Sequence, residues 1–108
     1  MKEPDVVIAM AALAQPHRLQ IFRDLVVAGH AGSTPSEIGL SLDLAPATLS
    51  FHLKELMNAG LISQERQGRN LIYRAEFATI NQVLAYLTQN CCGGQAVCFE
   101  EKAQSCAC

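Results

Sequence analysis

Cys91, Cys92, Cys98, Cys106 and Cys108 are the only cysteines of the chain, and all five fall within its last eighteen residues. A disulfide scaffold spreads its cysteines through the fold it staples, so a cluster at one end argues for chemistry there. Cys91 and Cys92 are adjacent, and Cys98 follows after five intervening residues. Gly93-Gly94 between them lets the backbone bend, so three thiolates from one short segment can meet around one soft ion. Vicinal thiols also oxidise, which keeps redox or persulfide sensing open beside metal binding. Cys106 and Cys108 form a second pair that supplies a fourth thiolate, captures an ion for transfer, or has no fixed role. Glu100, Glu101 and Lys102 are the only acid–base groups nearby, too little for a thiol enzyme, and no enzymatic activity is expected.

The elements that would carry such a tail must be built from the thiol-free remainder. A chain of 108 residues, half of them apolar and only 6% aromatic, reads as one domain cored by aliphatic side chains. That is small enough for a core shared with a second copy to be favourable. The N-terminus has acidic residues before a short apolar run, Val6 to Ala14, which is neither a signal peptide nor a membrane span. A cytoplasmic protein with reduced thiols is expected. The net charge of −2 does not suggest nucleic acid, but its distribution does. Lys54, Arg66, Arg69 and Arg74 outnumber Glu55, Glu65 and Glu76 in residues 46–76, the one locally positive stretch. DNA contacts should lie there, and they should be salt-sensitive.

Apolar spacing predicts a helix from about Pro4 to Ala14 and a second from Pro16 to Gly29. Val6, Val7, Met10, Leu13 and Ala14 make a broad stripe on the first. Thr34-Pro35-Ser36-Glu37 has the form of a capping box and opens a short helix over Ile38, Leu40 and Leu42, ending near Asp43. Pro46 opens another helix, which stops at Gly60. Two helices joined by a tight turn are a helix-turn-helix pattern. The period then shifts: 61–66 and 71–75 suit strands, with Gln67-Gly68-Arg69-Asn70 as the turn. Residues 77–90 return to helical spacing, and Cys91-Cys92-Gly93-Gly94 should end that helix.

On the helix opened by Pro46, Leu49, Leu53 and Leu56 fall within about 60° and form the core stripe. Ala47, Ser50, Phe51, Lys54 and Asn58 lie opposite, and Thr48 and His52 flank that face. A small, polar surface at a helix N-terminus can enter a major groove. Arg66 and Arg69 at the hairpin tip can follow phosphate or enter the neighbouring minor groove. His52 has a second reading, as a histidine hydrogen-bonded at the edge of the core. Ala45, preceding the helix, cannot cap it as Ser or Asn would. The order of elements is that of a winged helix-turn-helix, an α+β but mainly helical fold.

The sequence resembles the ArsR/SmtB family of metal-responsive repressors. The resemblance rests on Ala14-Gln15-Pro16-His17-Arg18-Leu19-Gln20-Ile21, on Ala47-Thr48-Leu49-Ser50-Phe51-His52-Leu53-Lys54-Glu55-Leu56, and on Gly60-Leu61-Ile62 with Arg66 to Arg74, and it covers roughly residues 5–90. It implies a homodimer built from the first and last helices, bound to palindromic double-stranded operator DNA. Its contacts would be Ala47, Thr48, Ser50, Phe51, His52, Lys54, Arg66 and Arg69. Two sensing positions common in that family are empty here: the helix before the reading helix has no thiol, and residues 77–90 contain neither Asp nor His.

The tail remains as the ligand site. Trivalent arsenic is soft, prefers sulfur and forms a three-coordinate pyramid, whereas zinc usually takes four ligands. The CC-x5-C pattern also resembles atypical arsenite-responsive members. The expectation is therefore a winged helix-turn-helix and dimerisation domain in residues 1–90, followed by a metalloid-binding tail in 91–108. It would be a repressor of arsenic-resistance genes, released when As(III) or Sb(III) binds Cys91, Cys92 and Cys98, with no organic cofactor and no membrane partner. The alternatives are a redox or persulfide repressor of the same fold and a cytosolic metalloid chaperone.

Overall fold

The computed structural model describes residues 1–90, and the expected ligands Cys91, Cys92 and Cys98, with Cys106 and Cys108, lie outside the described residues. In chain order the elements are α1 (Glu3–Leu13), α2 (Pro16–Ala28), a 3-10 turn (Gly29–Ala31), α3 (Pro35–Leu42), α4 (Pro46–Asn58), β1 (Ile62–Gln67), β2 (Asn70–Ala75) and α5 (Phe77–Leu87). Among the described residues, five α-helices and one antiparallel hairpin make the mainly helical, winged helix-turn-helix architecture expected from the spacing.

All four prolines stand in the first turns of helices α1 to α4, where a missing N–H leaves no hydrogen bond unmade. Between α1 and α2, Gln15 accepts a hydrogen bond from the Arg18 backbone N–H at 2.9 Å. The Arg18 Nε–H donates back to the Ala12 carbonyl at 2.6 Å, fixing the angle between the two helices. The capping box of α3 is complete: Thr34 Oγ1 accepts from the Glu37 N–H, and Glu37 Oε1 accepts from the Thr34 N–H. The Thr34 N–H, and next the Thr34 hydroxyl donating to the same Oε1 at 3.1 Å, hold the Glu37 carboxyl below its ordinary pKa.

Ile21 and Leu25 of α2, Ile38 of α3, Leu56 of α4 and Leu61 are fully buried and meet in one core. Helix α1 packs on α2, α4 and α5 through Val6, Ala9 and Ala12. Of the stripe expected on α1, Val7 and Met10 face solvent instead, as does Ile8. Phe77, Leu84 and Leu87 of α5 are also exposed, and only Val83 is buried there. Helix α5 ends at Leu87 rather than Asn90; Thr88 is its C-cap, and Asn90 lies at φ 60°, outside the helical region.

The hairpin pairs Ile62 with Ala75 through to Gln67 with Asn70, so its turn is the two residues Gly68-Arg69, tighter than the four-residue turn expected. Gly68, at φ 63°, occupies the first central position, where a two-residue hairpin loop favours glycine. Leu61 precedes the strand and sits in the core. A pairing with no local sequence signal fastens the hairpin to the body. Ser33 bridges to Tyr73 through two backbone hydrogen bonds, 2.9 and 2.8 Å. Arg74 adds a bond from Nε to the His30 carbonyl at 2.7 Å and an ion pair with Glu65 at 2.6 Å.

Gly32 makes this crossing possible. Its φ is +66°, and a Cβ there would lie 2.6 Å from both Ile72 Cγ2 and the Tyr73 carbonyl oxygen. Gly68 has a similar φ but open space around it. Gly32→Ala should therefore destabilise the fold by about 2–3 kcal/mol, through strain plus clash, and Gly68→Ala by about 1 kcal/mol from backbone strain alone. Urea midpoints of the two variants against the parent measure the difference.

Candidate nucleic-acid interface

Helix α4 decides which side chains are available. Leu49, Leu53 and Leu56 are buried, which fixes the rotation of the helix about its axis. Ala47, Thr48, Ser50, Phe51 and Lys54 consequently face solvent, as the helical geometry predicts. Phe51 is 56% exposed, unusual for a phenyl ring on a polar face. Ala45 makes no capping hydrogen bond, and Pro46 has no N–H. The first-turn amides of α4 are thus free of a side-chain cap, the arrangement that favours an anionic oxygen.

His52 does not belong to this exposed set. It is 6% exposed and shares the buried face, because position 52 continues the spacing 49, 53, 56 at i+3 from Leu49. The burial of His52 favours the alternative of a core-edge histidine over a DNA contact. Its expected hydrogen bond is missing as well, since Nδ1 is buried with no partner among the described residues. The imidazole lies between two rings: His17 at 5.6 Å and 48°, and Phe51 at 5.6 Å and 59°. Burial foremost, then the positive charge of Arg18 and the neighbouring His17, hold its pKa below the ordinary 6.5.

The wing supplies the cationic part. Arg66 and Arg69 are exposed, and neither forms an ion pair among the described residues. Arg74 is different, being engaged by Glu65 and the His30 carbonyl. The local positive charge legible in the sequence thus divides into two free arginines near the hairpin tip and one structural arginine at its base. A further exposed side chain, Leu40, is 84% accessible on α3, although its spacing suggests a partly apolar role. It borders an open groove of about 520 Å³ that includes Pro35, Gly39, Leu44, Pro46 and Ser50. Among the described residues, no three His, Cys, Asp or Glu side chains are placed to hold a metal ion. No helix described is long and apolar enough to cross a membrane.

A helix-turn-helix domain family matches residues 13–65, which contain α2, α3, α4 and the start of the wing. The HTH-type transcriptional regulator YgaV of Escherichia coli is 25% identical over 83 residues, 77% of this chain and 82% of that protein. Among solved structures, an ArsR-like transcriptional regulator from Rhodococcus sp. RHA1 superposes with a TM-score of 0.70 at 27% identity, covering 78% of this chain and 76% of its own. The chain has the winged helix-turn-helix fold and is similar to ArsR-like transcriptional regulators. A homodimeric winged helix-turn-helix DNA-binding domain from Mycobacterium bovis, described as a possible ArsR-family regulator, is similar too. It has a TM-score of 0.62 and 26% identity over 79% of this chain and 83% of its own. Within this winged helix-turn-helix fold, α3 and α4 are the helix-turn-helix pair, and β1–β2 is the wing.

His52 should make the stability of this winged helix-turn-helix domain pH-dependent. The unfolded chain protonates a histidine near pH 6.5, whereas the folded one protonates only at lower pH, so the unfolded state gains protons first as pH falls. Stability should be greatest above about pH 6.5 and decline below it, and His52→Leu should lose that part of the decline. Urea denaturation from about pH 8 to about pH 5.5 reads the slope.

Proposed function

We propose that this regulator is a homodimeric repressor of arsenic-resistance genes that binds a palindromic operator and leaves it when As(III) or Sb(III) occupies Cys91, Cys92 and Cys98. The observation that carries the DNA part is the face of α4. Small and hydroxyl side chains, Ala47, Thr48 and Ser50, stand beside Lys54 on a helix whose other side is anchored in the core. Arg66 and Arg69 project from a wing tied to the same body by the Ser33–Tyr73 bridge. A helix of that surface fits a major groove while the wing's guanidinium groups meet phosphate.

The dimer is supported by apolar side chains that the described chain leaves uncovered. Val7 and Ile8 on α1, 58% and 54% exposed, and Leu87 on α5, 55% exposed, lie on helices that pack together. The similar Mycobacterium bovis domain is described as homodimeric. The ligand part rests on the donor set itself. Three thiols within eight residues suit a soft ion that accepts three sulfurs, and they begin four residues after Leu87, the end of α5. A ligand bound there acts next to the proposed dimer helix, where a small reorientation changes the spacing of two reading helices. A coupling of about 1–3 kcal/mol gives a five- to 150-fold loss of operator affinity. The alternatives use the same residues differently: a thiol redox or persulfide repressor would respond to oxidant, and a metalloid chaperone would need no operator.

Gel-shift titrations of the reduced protein separate these readings. Arsenite should weaken binding within the range above, peroxide should not, and Cys98→Ser should abolish the arsenite response while leaving operator affinity within about twofold. Release by peroxide alone would favour the redox reading. Substituting Arg66 or Arg69 by Ala should weaken binding to all sequences similarly, reducing the slope of log K against log salt by about 0.9 for each phosphate no longer neutralised. Fluorescence anisotropy between about 50 and 200 mM salt measures it.

A further inference from the structure

Phe51 is the one large apolar side chain among the exposed residues of α4, with more than half of its surface open to solvent. Its neighbours on that face are Ala47 one turn before, Ser50 beside it and Lys54 one turn after. A single ring edged by Ser and Lys is too small and too polar in its surroundings to be a protein docking patch. Its orientation is nonetheless constrained from below. The ring meets that of His52 at 5.6 Å and 59°, within the range of an edge-to-face pair, and His52 is buried against the His17 ring. The phenyl group is therefore presented outward on a supported base.

In a major groove only one base edge offers an apolar group, the 5-methyl of thymine. Resting on the DNA-binding reading above, we propose that Phe51 is a specificity-determining residue that selects a thymine in each half-site by packing against its 5-methyl group. His52 and His17 act behind it as positioning residues. Lys54, one turn on, faces the flanking phosphate.

The test deletes the methyl and nothing else. Full-length reduced protein selects duplexes from a random library, and each thymine of the enriched half-site is then replaced by uracil. One such replacement should weaken binding about fourfold, the usual worth of one buried methyl. Phe51→Ala should bind the thymine and uracil duplexes equally, and Phe51→Leu should retain part of the preference. Equal binding of the parent protein to thymine and uracil at every position overturns the inference, while the enriched sequence still demonstrates DNA recognition. Discrimination that survives in Phe51→Ala overturns it too. Absence of any enriched sequence overturns the DNA-binding reading and this inference with it.

Discussion

The burial of one stripe on α4 governs the rest of the structure. Leu49, His52, Leu53 and Leu56 turn inward against α1, α2 and α3, and each buried leucine contributes about 1.5–3 kcal/mol. Successive residues on a helix differ by about 100°, so that stripe leaves little rotational freedom. Ala47, Ser50, Phe51 and Lys54 are exposed as a consequence, not by an independent choice. His52 is the costly member of the stripe, since its Nδ1 lies buried without a partner among the described residues. Its aromatic contacts with His17 and Phe51 offset part of that cost and connect α2 to the exposed face.

The wing depends on a second constraint, the close crossing at Gly32 and Ser33. A two-stranded hairpin alone is marginal in water. Here Ser33 acts as a short third partner, and Arg74 joins the base of the hairpin to the His30 carbonyl and to Glu65. Glu65 is held ionised below the ordinary carboxylate range, chiefly by its hydrogen bond from Arg74. Engaging Arg74 in this way leaves Arg66 and Arg69 as the exposed cations of the hairpin, carried at a fixed position relative to α4. The small local positive charge is thereby concentrated where a nucleic acid would meet it, despite a chain that is acidic in sum.

Much of this is legible in the sequence because the signals are local. Proline at helix starts, the Thr34–Glu37 box and the 3.6 period of Leu49, Leu53 and Leu56 each act within a few residues. The hairpin can be placed for the same reason, although its pairing reaches further into the turn than the spacing suggests. The Ser33–Tyr73 bridge is not legible, since it joins residues far apart in the chain and leaves no periodic trace. Helix α1 misleads differently. It is apolar nearly all round, so its sequence does not say that the alanines go inward while Val7, Ile8 and Met10 stay outside. The chemistry of His52 points to a surface role, yet its position at i+3 from Leu49 already marks the buried face. The thiols of the tail are plain in the sequence and lie outside the described residues.

Hydrogen–deuterium exchange of the full-length reduced protein, with and without its selected duplex, tests the reading surface most directly. Protection on DNA binding is expected in residues 46–54 of α4 and 66–70 of the wing, and it should disappear when arsenite is added. Protection confined to α1 and α5, with α4 unchanged by the duplex, would contradict the assignment of α4 as the helix that meets DNA.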